Sequence, residues 1–349
     1  MTTLTLSICS GALMFSELSG RKVLFITTKS TDYIRNRQEI NMLTESQATL
    51  TIIGSTYKHY PSRLIHVFRR LLFTDLHEYD AIVIGFAPQL IIPLFFRKIR
   101  SSGADVIIDF FISMYDTLCH DRQYFNPQSL LGKVLHKIDT YTLSCADEVI
   151  CDTIAHKSFF VEEFHVSPKK CHVLYLKADH SIFYPVEISR PHYLTGKSLI
   201  LYFGTGLPLQ GTDIVLEAYS KLCDYDNIHT IFIGHPVSKR EKDIIASTSN
   251  LTHIEWLPQD KLNEYINMAD LCIAGHFNKA IAKASRTIPG KAYIYDATNK
   301  PMILGDNPAN HEQFDPSDKY IYVPMGDADA LTNTILEYFG YAVLNRDES

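Results

Sequence analysis

The chain has 349 residues, of which 46% are hydrophobic and 21% charged; this is ordinary globular composition, with enough length for two domains that each have a full core. The net charge is −6, and all of the acidic excess lies in the second half: residues 1–187 carry 19 basic and 19 acidic side chains, residues 188–349 carry 14 and 20. No basic stripe marks a nucleic-acid surface, so no nucleic-acid partner is expected. Seven scattered cysteines without a C-x-x-C pair point to a reducing compartment and away from a zinc site.

The N-terminal stretch lacks the basic region of a signal peptide. Apolar strand-like runs follow at 23–28, 50–55, 81–86, 106–111, 148–153 and 171–176. Helical patterns separate them at 31–45, 61–73, 88–102, 129–144 and 154–164. The uncharged run 81–96 contains two prolines and a glutamine, and is too short and broken for a membrane span. The pattern over 60–73 interleaves Arg63, His66, Arg69 and Arg70 with Leu64, Val67, Phe68, Leu71 and Leu72, and 90–100 repeats the mixture. Two readings stay open there: a core helix with a solvated face, or a basic helix in peripheral contact with anionic lipid. After the fourth strand comes 109–122, DFFISMYDTLCHDR, which gathers Ser113, Tyr115, Asp116, His120, Asp121 and Arg122 at a strand's carboxyl end. Such a cluster can supply a general base or hydrogen bonds to hydroxyl groups. Asp116 is the residue read as the base, against the alternative that it only opens a turn.

Residues 179–196 contain two prolines and few helix formers, and read as a linker. The predicted division is 1–187 and 188–349. The second half repeats the alternation, with strands at 199–203, 230–234, 252–256, 271–275, 302–305 and 320–323. Its helices are expected near 212–223, 238–247, 259–269, 290–298 and 328–339. Continuous apolar strands alternating with helices predict two doubly wound parallel sheets, α/β in class, with ligands at the carboxyl ends of the strands. The sharpest segment is 198–222, in which a strand runs into Gly204-Thr205-Gly206, a Gly211 corner and a helix. Strand, glycine loop and helix present backbone N–H groups to an anion. Lys291 is expected in the first turn of a helix, where the dipole disfavours a cation, and Arg286 stands close by in sequence; a bound diphosphate would resolve that conflict. The triplets Asp224-Tyr225-Asp226 and Asp327-Ala328-Asp329 fall in a turn and at a helix start, so they read as structural. No histidine spacing suggests a metal, and none is expected.

These segments resemble the GT-B glycosyltransferases of family 4. The likeness rests on FGTGLPLQG at 203–211, the strand 231–234, His253–Pro258, the 261–271 segment and Ile288-Pro289-Gly290-Lys291-Ala292-Tyr293 through Lys300-Pro301. In the first half it rests on 146–153 and on Asp179 with Phe183-Tyr184-Pro185. The resemblance implies two Rossmann-like domains facing a cleft, and transfer of a sugar from a nucleotide-sugar donor to a saccharide or lipid-linked acceptor. Surface-polysaccharide or lipopolysaccharide assembly on the cytoplasmic side is the setting it implies. Such transfer is expected to be metal-independent and to retain configuration, with no cofactor. Carried onto this chain, Gly204, Thr205, Gly206, Gln210, Gly234, Arg286 and Lys291 would hold the donor. Asp116 would serve as base, with Tyr115, His120 and Asp121 beside the acceptor. The chain departs from the family where a pair of glutamates eight positions apart falls on Arg286 and Ile294. That departure keeps two rivals open: a nucleotide-sugar 2-epimerase of the same fold, and an inactive partner subunit.

Overall fold

The computed structural model describes residues 10–341. The N-terminal nine residues and the tail beyond Tyr341 lie outside it, and with them part of the signal-peptide reading. The described chain forms two compact units, which meet between Lys177 and Ala178.

The first unit holds six parallel strands: β1 (Lys22–Ile26), β2 (Thr49–Ile53), β3 (Ala81–Ile84), β4 (Asp105–Asp109), β5 (Glu148–Cys151) and β6 (Cys171–Val173). Their order is β2-β1-β3-β4-β5-β6. Helices α1 (Ser10–Ser16) and α2 (Ile34–Glu45) cover one face, burying Met14, Phe15 and Leu43 against Val23, Phe25 and Val83. Helices α3 (Tyr60–Phe73), α4 (Ile92–Ser101), α5 (Leu130–Ser144) and α6 (Ile154–Phe164) cover the other, with Val67, Ile99, Leu143 and Phe160 against Leu24, Ile82 and Val106. Val, Ile and Leu fill both faces, as expected for a sheet buried on both sides. Helix α3 spans the predicted stretch, and its Pro61 stands in the first turn, where a missing N–H costs nothing.

The second unit repeats the plan with β7 (Ser198–Phe203), β8 (Ile228–Ile233), β9 (Leu251–Ile254), β10 (Leu271–Gly275), β11 (Met302–Gly305) and β12 (Tyr320–Val323), again all parallel. The order β12-β11-β10-β7-β8-β9 reverses direction between β7 and β10, the arrangement that opens a crevice at their carboxyl ends. The helices include α7 (Thr212–Lys221), α8 (Lys239–Ser247), α9 (Gln259–Met268), α10 (Gly290–Ala297), α11 (Pro308–His311) and α12 (Ala328–Tyr338). Asp327 caps α12 by accepting from the Ala330 N–H, and among the described residues no acid, histidine or cysteine cluster could hold a metal. The six cysteines of the described residues are free thiols.

One buried ion pair ties the first unit together. Arg35, in the first turn of α2, donates through Nε to Asp109 Oδ2 at 2.8 Å and through Nη2 to Oδ1 at 3.3 Å. Its Nη1 reaches the Leu174 carbonyl at 2.5 Å, just beyond β6. Beside it lies Glu39, fully buried. Burial, and then the Asp109 charge, push the Glu39 carboxyl well above its usual range, so it is held as the neutral acid. Removing the cation of such a pair costs about 3–5 kcal/mol. Arg35→Met should therefore lower the urea midpoint of the first unit steeply. A carboxyl whose folded pKa is raised contributes stability below its unfolded pKa and loses it as pH rises toward the folded value. Glu39→Gln, neutral at every pH, should flatten that decline; urea unfolding followed from pH 5 to 8 measures it.

Candidate functional site

In the second unit the site is built where β7 and β8 end. Gly204 donates to the Ile233 carbonyl at 2.9 Å, closing β7 onto β8. Gly234 has φ +151°, and a Cβ placed there would lie 2.2 Å from the Gly204 carbonyl oxygen. The two loops touch backbone to backbone, which only glycine permits. A Cβ on Gly204 would fall 2.4 Å from Gln210 Oε1 and 2.9 Å from Lys291 Nζ, so those polar groups lie directly over the glycine. Gly206 packs beneath Val237, and Thr205 is exposed at the lip. Gly211, at φ +64°, turns the chain into α7; a Cβ there would meet the Asn278 amide at 2.9 Å, the segment that follows β10.

Lys291 is the central cation. It occupies the first turn of α10, yet its side chain is buried. Nζ donates to Gln210 Oε1 at 2.8 Å and sits 3.8 Å from the centroid of the Tyr202 ring. Tyr202 Oη donates to the same Gln210 oxygen at 2.5 Å. Among the described residues Gln210 is the only hydrogen-bond partner of Lys291, and no carboxylate pairs with it. Burial pushes its pKa well down. His276, immediately after β10, is buried and driven down to about 3, first by burial and then by the Lys291 charge, so it is neutral. A cation without a counter-ion, at a helix N-terminus and a sheet switch point, is a site set for an anion. Gln210 holds its carbonyl toward two donors, and its amide N–H groups make no hydrogen bond to the described residues. Arg286 lies on the turn that leads into α10, partly exposed. Trp256, two residues past β9, is 71% exposed at the same sheet edge.

In the first unit, 109–122 separates by role. Asp109 is committed to Arg35. Asp139 of α5 accepts from Ser113 Oγ at 2.6 Å, the Tyr115 N–H at 2.8 Å and Gln89 Nε2 at 3.0 Å, so it shapes the loop. Residues Asp116–Asp121 form one π-helical turn, closed by the Arg122 N–H on the Thr117 carbonyl at 2.8 Å. That wider turn and the Ser113 cap on the Asp116 N–H fold Asp116 inward, where it is 0% exposed. The residue read from the sequence as the base is thus buried in this structure. Tyr115 is buried against the rings of His120, at 5.0 Å, and His136, at 4.9 Å. Asp121 is buried too, 3.8 Å from Arg122 Nε; His120 is the partly exposed member.

Periodicity gave no hint of three further groups. Tyr202 reads as strand interior and His276 as a residue just past a strand. Tyr33, Phe86 and Phe111 come from three separate segments, yet they meet beyond the ends of β1, β3 and β4. Tyr33 lies 5.7 Å from Phe86 and 6.2 Å from Phe111, with Lys29 Nζ 5.3 Å from the Phe86 centroid. Burial, then Asp109, raise the Tyr33 hydroxyl to about 12. The only early signal was position: each follows an apolar strand or opens the next helix.

Comparison with known proteins agrees with this architecture. Residues 197–340 match the family described as Glycosyl transferases group 1. Among curated proteins none matches the chain in sequence. Of solved structures, Anabaena HepE, determined with UDP and glucose, is similar at TM-score 0.62, with 12% identity over 92% of this chain and 90% of its own. Sucrose-phosphate synthase from Thermosynechococcus elongatus is similar at TM-score 0.66, with 12% identity over 91% and 90%. WaaG, a glycosyltransferase involved in lipopolysaccharide biosynthesis, is similar at TM-score 0.61, with 11% identity over 90% of each chain. The fold is that of the GT-B glycosyltransferases, two Rossmann-like units with parallel sheets.

The glycine contact gives a direct test. In Gly234→Ala the new methyl meets backbone rather than a flexible side chain, at a φ that L-residues avoid. The cost should be about 1–3 kcal/mol, read as a lower melting temperature, and nucleotide binding should fall with it.

Proposed function

We propose that the protein is a glycosyltransferase that takes its sugar from a nucleoside diphosphate sugar held by the second unit. One observation carries this reading: Lys291, buried without a carboxylate partner, lies over Gly204 at the β7–β10 switch point. The family match to 197–340 covers that whole site. Lys291, with Arg286 on the preceding turn, would meet the charge of the departing diphosphate together with the exposed amides of the α10 start. That electrostatic role needs no divalent ion. The Gln210 amide would donate to the same group. Trp256 and the segment after Gly234 would take the base.

On the acceptor side we assign the first unit. The aromatic group of Tyr33, Phe86 and Phe111 offers apolar faces to a sugar ring, and His120 is the accessible member of 109–122 that can take a hydroxyl proton. Asp116 acts through the shape of that loop. A saccharide or lipid-linked acceptor in surface-polysaccharide assembly on the cytoplasmic side, and transfer with retention, are what the family resemblance implies.

Lys291→Met should weaken UDP or GDP binding by about 1–3 kcal/mol, the range for a charge-assisted hydrogen bond. Isothermal titration measures it, and unchanged affinity in both Lys291→Met and Arg286→Ala removes the site. An anion favours the charged form of Lys291, whose pKa in the free protein is lowered, so binding takes up protons. Affinity should therefore fall as pH rises through the range in which Lys291 of the free protein gives up its proton, and Lys291→Met should abolish that slope.

On the acceptor side, His120→Gln should lower turnover by about 10²–10⁴-fold with nucleotide affinity unchanged. Asp116→Asn is the companion variant: an equal loss there returns the base to Asp116. Donor turnover without any acceptor would favour the epimerase reading instead.

A further inference from the structure

Helices α3, α4 and α5 lie side by side on one face of the first sheet. Phe68 of α3 meets Phe95 of α4 at 5.6 Å, and Lys98 of α4 donates to the Leu71 carbonyl of α3 at 2.8 Å. Phe96 of α4 meets Tyr141 of α5 at 5.8 Å. The inward residues of this layer fill the core, so the exposed apolar side chains are surplus to folding. They are large and occur on each of the three helices: Ile65 (61% exposed), Leu72 (58%) and Phe73 (81%) on α3, Leu94 (67%) on α4, and Leu130 (79%) and Leu131 (55%) on α5. Isolated exposed leucines are ordinary; a run of them across three neighbouring helices is not.

The charges on the same three helices have one sign. The first carries Arg63, Arg69 and Arg70, the second Arg97, Lys98 and Arg100, the third Lys133 and Lys137. The one acid on any of them is Asp139, which is fully buried and holds the 109–116 loop. This is not bulk charge, because residues 1–187 balance at 19 basic and 19 acidic side chains. Between the cations of α3 runs a groove lined by Tyr57, Ser62, His66, Arg69, Arg70 and Phe73. No helix of the described residues is long and apolar enough to cross a membrane.

From this we infer that the outer layer α3–α4–α5 is a docking surface for an anionic lipid bilayer. The helices lie on the membrane, with Phe73, Leu72 and Leu94 entering the acyl boundary and Arg69, Arg70 and Arg97 meeting phosphate headgroups. Each basic side chain near such a surface strengthens binding, and buried apolar area adds to it. A second copy of this chain fits the same layer poorly, because pairing would set cations against cations. The inference stands apart from the sugar-transfer reading, since it concerns no residue of the donor or acceptor sites.

The test is sedimentation of the full chain with vesicles, either phosphatidylcholine alone or with roughly a third phosphatidylglycerol. Binding should require the anionic lipid and should weaken as salt shortens the Debye length from about 10 Å at 0.1 M toward 3 Å at 1 M. The double variant Arg69→Glu with Arg70→Glu should lower partitioning about tenfold or more. Leu72→Ser with Phe73→Ser should weaken binding at every salt concentration. All four positions are solvent-facing or nearly so, and an unchanged melting temperature and UDP titration certify the fold. Equal binding to neutral vesicles, no binding to either, or binding indifferent to both pairs of substitutions overturns the inference. So does a dimer in solution that either pair dissolves, since that makes a second copy the occupant.

Discussion

The backbone contact between Gly204 and Gly234 constrains everything around the candidate donor site. Because Gly234 has no Cβ, its backbone can approach the Gly204 carbonyl to a distance that no other residue at 234 allows. The missing Cβ of Gly204 in turn leaves room directly above it for Gln210 and Lys291. Tyr202 supports both from below, through its ring to the ammonium and through its hydroxyl to the amide. A buried lysine held by one neutral oxygen and one ring is incompletely compensated in charge. Under the proposed reading an anion completes the site, and the helix N-terminus beside it favours the same charge.

The first unit solves a different problem with similar parts. Its buried charge is paired within the protein, Arg35 to Asp109, and the adjacent Glu39 is kept neutral. This polar layer lies under the aromatic group at the ends of β1, β3 and β4. Strength there comes from a closed network, whereas the second unit leaves its cation open. The contrast lies in how buried charge is compensated, although both sheets are six-stranded and parallel.

Surface chemistry divides the helices in the same manner. Asp139 turns inward from α5 to shape the 109–116 loop, and in doing so removes the only acid from a cationic, apolar layer. One side chain thus connects the interior loop to the character of the outer face.

The sequence alone determined the class of fold. Continuous apolar runs alternating with 3.6-residue periodicity dictate two parallel sheets, since only strands covered on both faces tolerate such runs. It also determined the glycine lip and the placement of Lys291 in a helical first turn, because both follow from local backbone chemistry. Tertiary structure alone decided which charges are satisfied. Nothing local in Lys291 or Arg35 says that one lacks a carboxylate and the other has one, for the answer lies 81 residues away at Gln210 or 74 away at Asp109. The same holds for Asp116, whose burial depends on Ser113 and a π turn held from α5. It holds for Trp256, whose exposure is set by the fold and not by its place just past an apolar strand. Local pattern fixes which elements form; the partners of a side chain are chosen by the packing of distant strands.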